Sequence, residues 1–186
     1  MNRQLAIFGE ATNTLTRQAI ELAKLLGYAE AIVTDQFPGD SEHVFLSLED
    51  REQRRHYIER HGNDRFINLF HPSAYISSSA TFGCNVFVGA NAIVGMNATI
   101  GNGVVQNALS SIEHDNRIGA YSFLGTGAIL CGRVETGDEV FIGGGATIKP
   151  GTRIGARTTI GTGAVLIKDA DPDSVYVGNP ARKLEK

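Results

Sequence analysis

The stretch "VFIGGGATIKPGTRIGARTTIGTGAVL", residues 140–166, repeats itself every six residues. Ile142, Ile148, Ile154, Ile160 and Leu166 set the phase. Followed back towards the N-terminus, the same spacing picks out Ile76, Phe82, Val88, Val94, Ile100, Gln106, Ile112, Ile118, Leu124, Leu130 and Thr136. Fourteen of these sixteen positions are large and apolar, the exceptions being Gln106 and Thr136. Two residues before each, the series from Ala74 to Ala164 contains only Ala, Val, Ser or Thr, apart from Asn116. Glycine follows the apolar position at ten of the sixteen. A period of six does not match the 3.6 of a helix, but it is a multiple of the two-residue period of a strand. The small and the large residue therefore share one face of a short strand. The following glycine is read as the freedom the backbone needs to turn a corner. Short strands joined by corners at fixed spacing describe a parallel β-helix, for which a hexapeptide repeat is a signature. An ordinary sandwich has no need of identical six-residue spacing.

Ahead of the repeat the pattern changes. "QLAIF", residues 4–8, reads as a buried strand closed by Gly9. Leu15, Ala19, Leu22 and Leu26 form one stripe of an amphipathic helix that Thr12 or Asn13 caps and Gly27 ends. "AEAIVTD", residues 29–35, is a second strand, completing a βαβ unit. "PGDSEH" reads as a loop, "LEDREQRRHYIERHG" as a charged, solvent-facing helix, and "RFINLF" as a strand leading into the first coil. The boundary is placed near residue 70, with a small α/β unit over 1–70 and the β-helix with a C-terminal extension over 71–186.

Composition excludes several partners. The net charge of -3 and pI near 5.9 give no polybasic surface for nucleic acid or anionic membrane. No apolar run is long enough to cross a bilayer, and the N-terminus lacks the features of a secretory signal. The two cysteines, Cys84 and Cys131, have no metal-type spacing and read as reduced core residues of a cytoplasmic protein. A metal site on the coils, as in a carbonic-anhydrase-like β-helix, needs several histidines, and only His114 lies there.

The repeat resembles that of the hexapeptide-repeat acyltransferases. That resemblance implies a left-handed parallel β-helix with three hexads per coil, here about five coils, and a homotrimer with active sites at the subunit interfaces. With the βαβ unit in front, the chain is similar to the subgroup of sialic acid O-acetyltransferases and bacterial nucleotide-sugar N-acetyltransferases. "FINLFHPSAYISSSATFG" (66–83) resembles that subgroup's approach to the first coil and "YVGNPARKL" (176–184) its closing segment. The implied activity is transfer from acetyl-CoA, a co-substrate with no metal, to the amine or hydroxyl of a sugar. A nucleotide-linked amino sugar of surface-glycan synthesis is the first expectation. A sialic acid or other non-nucleotide acceptor, or a non-catalytic assembly module, are the alternatives.

Within "NALSSIEHDNRIGAYSF", residues 107–123, the faults Gln106 and Asn116 flank His114. An unsatisfied buried amide costs about 1–3 kcal/mol, so neighbouring polar faults point to a local hydrogen-bond network. The resemblance carries over residue by residue. Asn107, His114 seven positions on and Asp115 match the family's catalytic pattern, in which the histidine is the general base and the acid orients it. Glu113 is the alternative partner, since alternation puts 113 and 115 on the face opposite His114, and a contact from a neighbouring subunit is the further option. "LCGRV" (130–134) matches the segment whose glycine, here Gly132, offers an N–H to the oxyanion. CoA is expected along Gly143, Gly144 and Gly161, with Lys149 and Lys168 for its phosphates. For the acceptor, Gly9, Asp35 and Phe123 are the matching positions. Two of these neighbourhoods depart from the family. Phe123 stands where the family has a second histidine. "FGEATNT" (8–14) replaces a Gly-Gly-His turn, putting Glu10 where a diphosphate needs positive potential. Weak nucleotide binding, or a different acceptor, is the expectation at that turn.

Overall fold

A computed structural model of the chain describes residues 4–38, 43–48 and 50–185. Residues 39–42 of the expected "PGDSEH" loop lie outside the described residues. The front unit begins with β1 (Gln4–Phe8), α1 (Thr14–Leu25) and β2 (Glu30–Thr34). β2 runs parallel to β1, as the βαβ reading requires. A third parallel strand, β3 (Val44–Leu46), pairs with the other side of β1, and the sequence reading did not anticipate it. α2 (Arg51–His61) follows, capped by Asp50, whose carboxylate accepts from the amides of Glu52 and Gln53. Leu15, Ala19 and Leu22 are buried as the stripe predicts, but Leu26 is 42% exposed. It falls one residue past the last helical turn, where the chain is already leaving the sheet. "RFINLF" is a strand only at Leu69–Phe70. Residues 63–65 form a 3-10 turn instead, and Phe66 makes a single bridge to Val44.

From Leu69 the chain winds as a left-handed parallel β-helix. Two-residue strands stack in register with those 18 residues away, for instance Val105 on Phe87 and Gln106 on Val88. The first face starts at Leu69–Phe70, the second at Tyr75–Ile76 and the third at Thr81–Phe82. The first face has seven parallel rungs, ending at Val175–Val177, so there are about six turns rather than five. The extra turn comes from both ends, where Phe70 and Tyr176 continue the interior ladder outside the stretch counted from the repeat. Inside, the second residue of each strand forms one continuous core, including Val88, Val94, Ile112, Leu124, Leu130, Ile142, Ile148 and Ile160. Arg182–Lys183 folds back antiparallel on Val175–Val177 and closes the last coil.

The corners correct one expectation. From Asn85 to Gly163 every sixth residue has φ between 54° and 70°, and these lie three positions after the apolar residue, not one. The left-handed conformation that bends the wall is therefore carried by residues such as Asn91, Asn97 and Gly127. The glycines directly after the apolar residues answer a different need. A Cβ on Gly119 would sit 2.2 Å from the carbonyl oxygen of Gly137, and one on Gly143 would sit 2.5 Å from the amide nitrogen of Thr162. These positions are pressed against the backbone of the next coil. The two polar faults in the interior ladder are satisfied. Gln106 Nε2 donates to the carbonyls of Ile93 (3.0 Å) and Ser110 (3.3 Å), and Thr136 Oγ1 accepts from Gly119 N at 2.9 Å.

The three outer faces differ. The first is covered by the front unit, with Leu69, Phe87 and Val105 packed among Leu5, Ile7, Leu15 and Phe45. The third carries Thr81, Thr99, Arg117, Glu135 and Arg153, with Glu135 and Arg153 paired at 3.5 Å. The second face exposes an apolar ladder: Tyr75 is 63% exposed, Ile93 40% and Ile129 41%. α2 locks the front unit to the coils, Arg51 donating to the carbonyl of Glu139 at 2.6 Å and Arg55 pairing with its carboxylate.

Two kinds of glycine are thus distinguishable by substitution. Gly119→Ala forces the coils apart and is expected to cost about 3 kcal/mol. Gly127→Asn, at a left-handed corner where an added Cβ meets nothing within 4 Å, is expected to cost less than about 1 kcal/mol. Chemical denaturation of the two variants reads the difference.

Candidate active site

His114 lies at the corner between the second and third faces, just after the strand Ser111–Ile112. The corner is laddered from below and above: Asp115 N donates to Met96 O at 2.8 Å, and Arg133 N donates to His114 O at 3.0 Å. Asp115 is the left-handed residue of this corner, with φ 58°. That conformation breaks strand alternation, so Asp115 and His114 meet on the outside. His114 Nδ1 is 2.8 Å from Asp115 Oδ2, and both side chains are 44% exposed. Glu113, the alternative partner, is engaged elsewhere, its carboxylate accepting from Ser111 Oγ at 2.6 Å.

Hydrogen bonds from the His114 ring and then from Asn97 Nδ2 (3.0 Å) hold the Asp115 carboxyl below the usual carboxylate range. A depressed folded-state value means that the carboxylate is present throughout the neutral range. The contact is lost only as pH falls through that lowered value. An ionised Asp115 accepts a hydrogen bond from the Nδ1–H of the neutral ring and leaves Nε2 as its lone-pair acceptor.

Nε2 faces the next coil. An added Cβ on Gly132 would lie 2.4 Å from His114 Nε2 and 2.5 Å from Cε1, so the imidazole occupies the space a side chain at 132 would fill. His114, Asp115 and Gly132 are therefore brought together within one chain. Cys131 beside them is half-exposed rather than part of the core. Cys84 is buried as expected, and burial pushes its thiol up to about 11.

Asn107 stands apart from this group, on the preceding corner. It lines a cavity of about 440 Å³ between the front unit and the first face, with Thr14, Leu15, Gln18, Arg51, Arg54, Val105, Phe123 and Phe141. Phe123 is stacked on Phe141 with ring centroids 5.0 Å apart and planes within 1°. Thr14, Gln18, Arg51 and Arg54 were not singled out from the sequence. The two arginines sat unremarked in a helix read as solvent-facing, although their i, i+3 spacing puts them on one side of it. Arg54 is in fact 2% exposed and donates to Leu48 O, and burial, with Arg51 nearby, lowers its pKa to about 10.

Gly9 and Asp35 come together at the carboxyl edge of the three-stranded sheet, where Gly9 N donates to Thr34 O at 3.0 Å. Ligands of open parallel sheets bind at such edges. Here the edge is closely packed. A Cβ on Gly9 would lie 2.4 Å from Ser47 Oγ. Asn13, not Thr12, caps α1, accepting from Thr16 N at 2.6 Å while its Nδ2 donates to Ser47 O at 2.9 Å. The start of α1 is thus satisfied by its own chain, with the Glu10 side chain exposed beside it.

Gly143, Gly144 and Gly161 lie on the corner between the first and second faces. There the upper coils read Gly125-Thr126-Gly127, Gly143-Gly144-Gly145 and Gly161-Thr162-Gly163. Cβ atoms added at Gly127, Gly145 or Gly163 meet nothing within 4 Å, so this edge is an open strip poor in side chains. Lys149 and Lys168 are exposed at the other margin of the second face. Among the described residues no group of three or more His, Cys, Asp or Glu can hold a metal ion, and no helix is long and apolar enough to cross a membrane.

The family described as "Bacterial transferase hexapeptide (six repeats)" matches residues 133–168. Similarity to solved structures extends over the whole chain. PerB from Caulobacter crescentus, solved in complex with CoA and GDP-perosamine, matches with a TM-score of 0.89 at 26% identity, over 100% of this chain and 98% of that one. The acetyltransferase domain of PglB from Neisseria gonorrhoeae, solved with acetyl coenzyme A, gives 0.90 at 28% identity, over 99% of this chain and 100% of that one. WeeI from Acinetobacter baumannii shares the fold, with a TM-score of 0.87 at 20% identity over 98% and 100% of the two chains.

The contact between His114 and Gly132 is directly testable. Gly132→Ala is expected to swing the ring away and break its pairing with Asp115. The His114 Cε1–H resonance then moves, whereas an unchanged resonance in the variant contradicts the packing.

Proposed function

We propose that the chain is a hexapeptide-repeat acyltransferase that transfers an acetyl group from acetyl-CoA to the amine of a sugar, with His114 as general base. The observation that carries the assignment of His114 is its position: paired with Asp115 through Nδ1, with Nε2 directed over the buried backbone of Gly132. Kinship with the CoA-bound PerB and the acetyl-CoA-bound PglB domain supports the donor and the sugar class.

In this reading the acceptor nitrogen attacks the thioester carbonyl while Nε2 takes its proton. Asp115 keeps the tautomer that makes this possible and stabilises the imidazolium that forms. The Gly132 amide is the donor assigned to the tetrahedral oxyanion, and collapse of that intermediate expels the CoA thiolate. The proton held by His114 goes to the leaving sulfur. No side-chain nucleophile is needed. The strip beside Gly143, Gly144 and Gly161 fits the narrow pantetheine arm of CoA, because its open neighbours Gly127, Gly145 and Gly163 present no side chain there. Lys149 and Lys168 are the cations assigned to its phosphates. The acceptor is assigned to the cavity lined by Asn107 and Phe123.

The cavity and His114 flank opposite margins of the uncovered second face. Association through that face, in a ring of three, brings the His114 corner of one subunit towards the Asn107 cavity of its neighbour and buries the Tyr75–Ile93–Ile129 ladder. A homotrimer with sites between subunits follows from this reading.

Thiol release from acetyl-CoA across a panel of free and nucleotide-linked amino and hydroxy sugars tests the chemistry. His114→Ala is expected to lower kcat by about 10²–10⁴ with assembly mass unchanged, and equal rates in both proteins remove His114 from the mechanism. Ile129→Asp tests the assembly. Light scattering is expected to give three times the 19.9 kDa chain mass for the unaltered protein and one chain for the variant, with turnover lost alongside.

A further inference from the structure

We propose that Asn116 is a positioning residue for His114, fixing the histidine's corner against the coil that carries Gly132. The inference rests on His114 acting as the base. Asn116 is the one member of its sixteen-position series that is not Ala, Val, Ser or Thr. It is fully buried. Its amide makes three hydrogen bonds: Nδ2 donates to Glu113 O (3.0 Å) and Leu130 O (3.2 Å), and Oδ1 accepts from Val134 N (2.5 Å). One partner immediately precedes His114, and the other two bracket Gly132 at two residues on either side. A single planar group therefore ties together the two backbone segments whose separation sets the distance from Nε2 to Gly132.

The fold does not ask for this amide. The equivalent position one coil earlier is Ala98 and one coil later is Val134, and both are fully buried in the same core. Part of the work can be done by a hydroxyl, since Ser122 Oγ in the next hexad accepts from Val140 N at 3.1 Å, the same 18-residue contact that Asn116 makes to Val134. Ser110 and Thr152, in the same series, donate to the carbonyl three residues back, as Asn116 does to Glu113 O. What Asn116 adds is a planar group that holds this contact, the Val134 amide and Leu130 O at once. The His114 corner has reason to need it. Both of its functional side chains are partly exposed, and Asp115 holds a left-handed backbone conformation that relaxes when its surroundings loosen. A displacement of about 1 Å between a base and its reacting centre can cost about 10²-fold in rate.

Asn116→Ala and Asn116→Ser separate positioning from packing. The alanine variant leaves the Val134 N–H without its acceptor and Leu130 O with the Glu113 amide alone, and is expected to lose apparent Tm. The serine variant retains an acceptor for Val134 N, as Ser122 does for Val140, and is expected to stay near the unaltered Tm. Both are expected to lower kcat by roughly 10- to 100-fold while KM for acetyl-CoA changes by less than about twofold. A second readout needs no turnover: the rate at which diethyl pyrocarbonate modifies His114, followed by peptide mass spectrometry on the intact assembly. It is expected to change by about threefold or more in both variants, because ring accessibility and the Asp115 contact change together. If the serine variant keeps kcat and the His114 modification rate within about twofold, the proposal is overturned. So it is if the alanine variant loses Tm but not kcat. Should His114→Ala itself retain turnover, the base assignment fails, and the modification rates alone then decide whether Asn116 positions the ring.

Discussion

Successive coils approach so closely that several positions in each turn have no room for a Cβ. Everything else in the solenoid follows from that spacing. Strand stacking at 18-residue register brings Gly119 against Gly137 and Gly143 against Thr162. The interior then fills with one ladder of aliphatic side chains, and the amides of each turn are taken by the carbonyls of the next. The wall is consequently stiff, and a residue placed on a corner is located by the coils above and below it. His114 is held in this way, with Met96 beneath its corner and Arg133 above it. At Gly132 the missing side chain is replaced not by backbone but by the His114 imidazole, which fills its vacant space.

The solenoid was legible because its period is imposed by physics that leaves few alternatives. A large residue every six, with a small one two before it, satisfies strand alternation and corner sterics together. The ends were less legible, since Phe70 and Tyr176 complete the ladder outside the regular run. The reason for the glycines was misread because sequence alone does not separate a need for positive φ from a need for empty space. Only the observed backbone does, placing the left-handed residues at Asn91, Asn97 and Asp115. β3 escaped because it is a three-residue apolar run, too short to show alternation.

At the site, motif and periodicity pulled in opposite directions. Alternation separates His114 from Asp115, whereas the resemblance pairs them. The left-handed turn at Asp115 resolves the conflict within one chain. The cavity was hard to foresee for a different reason. Its walls come from α1, α2 and the first face, and a charged helix gives no local sign that Arg54 is buried. Asn107 and His114 looked contiguous in sequence, seven residues apart. In a triangular coil that distance exceeds one side, so the two residues occupy different corners and face different surroundings. Sequence proximity in a solenoid is a poor guide to which residues share one surface of the chain.

The antiparallel return of Arg182–Lys183 closes more than the last coil. A parallel solenoid ends in a row of unpaired backbone groups that can template another copy end to end. Here that row is met by a strand of opposite direction bearing two cations, one of which, Lys183, is anchored to Asp171 at 2.8 Å. A second molecule arriving at that end finds neither the direction nor the register needed to continue the winding. The short closing hairpin thus ends parallel winding on the first face.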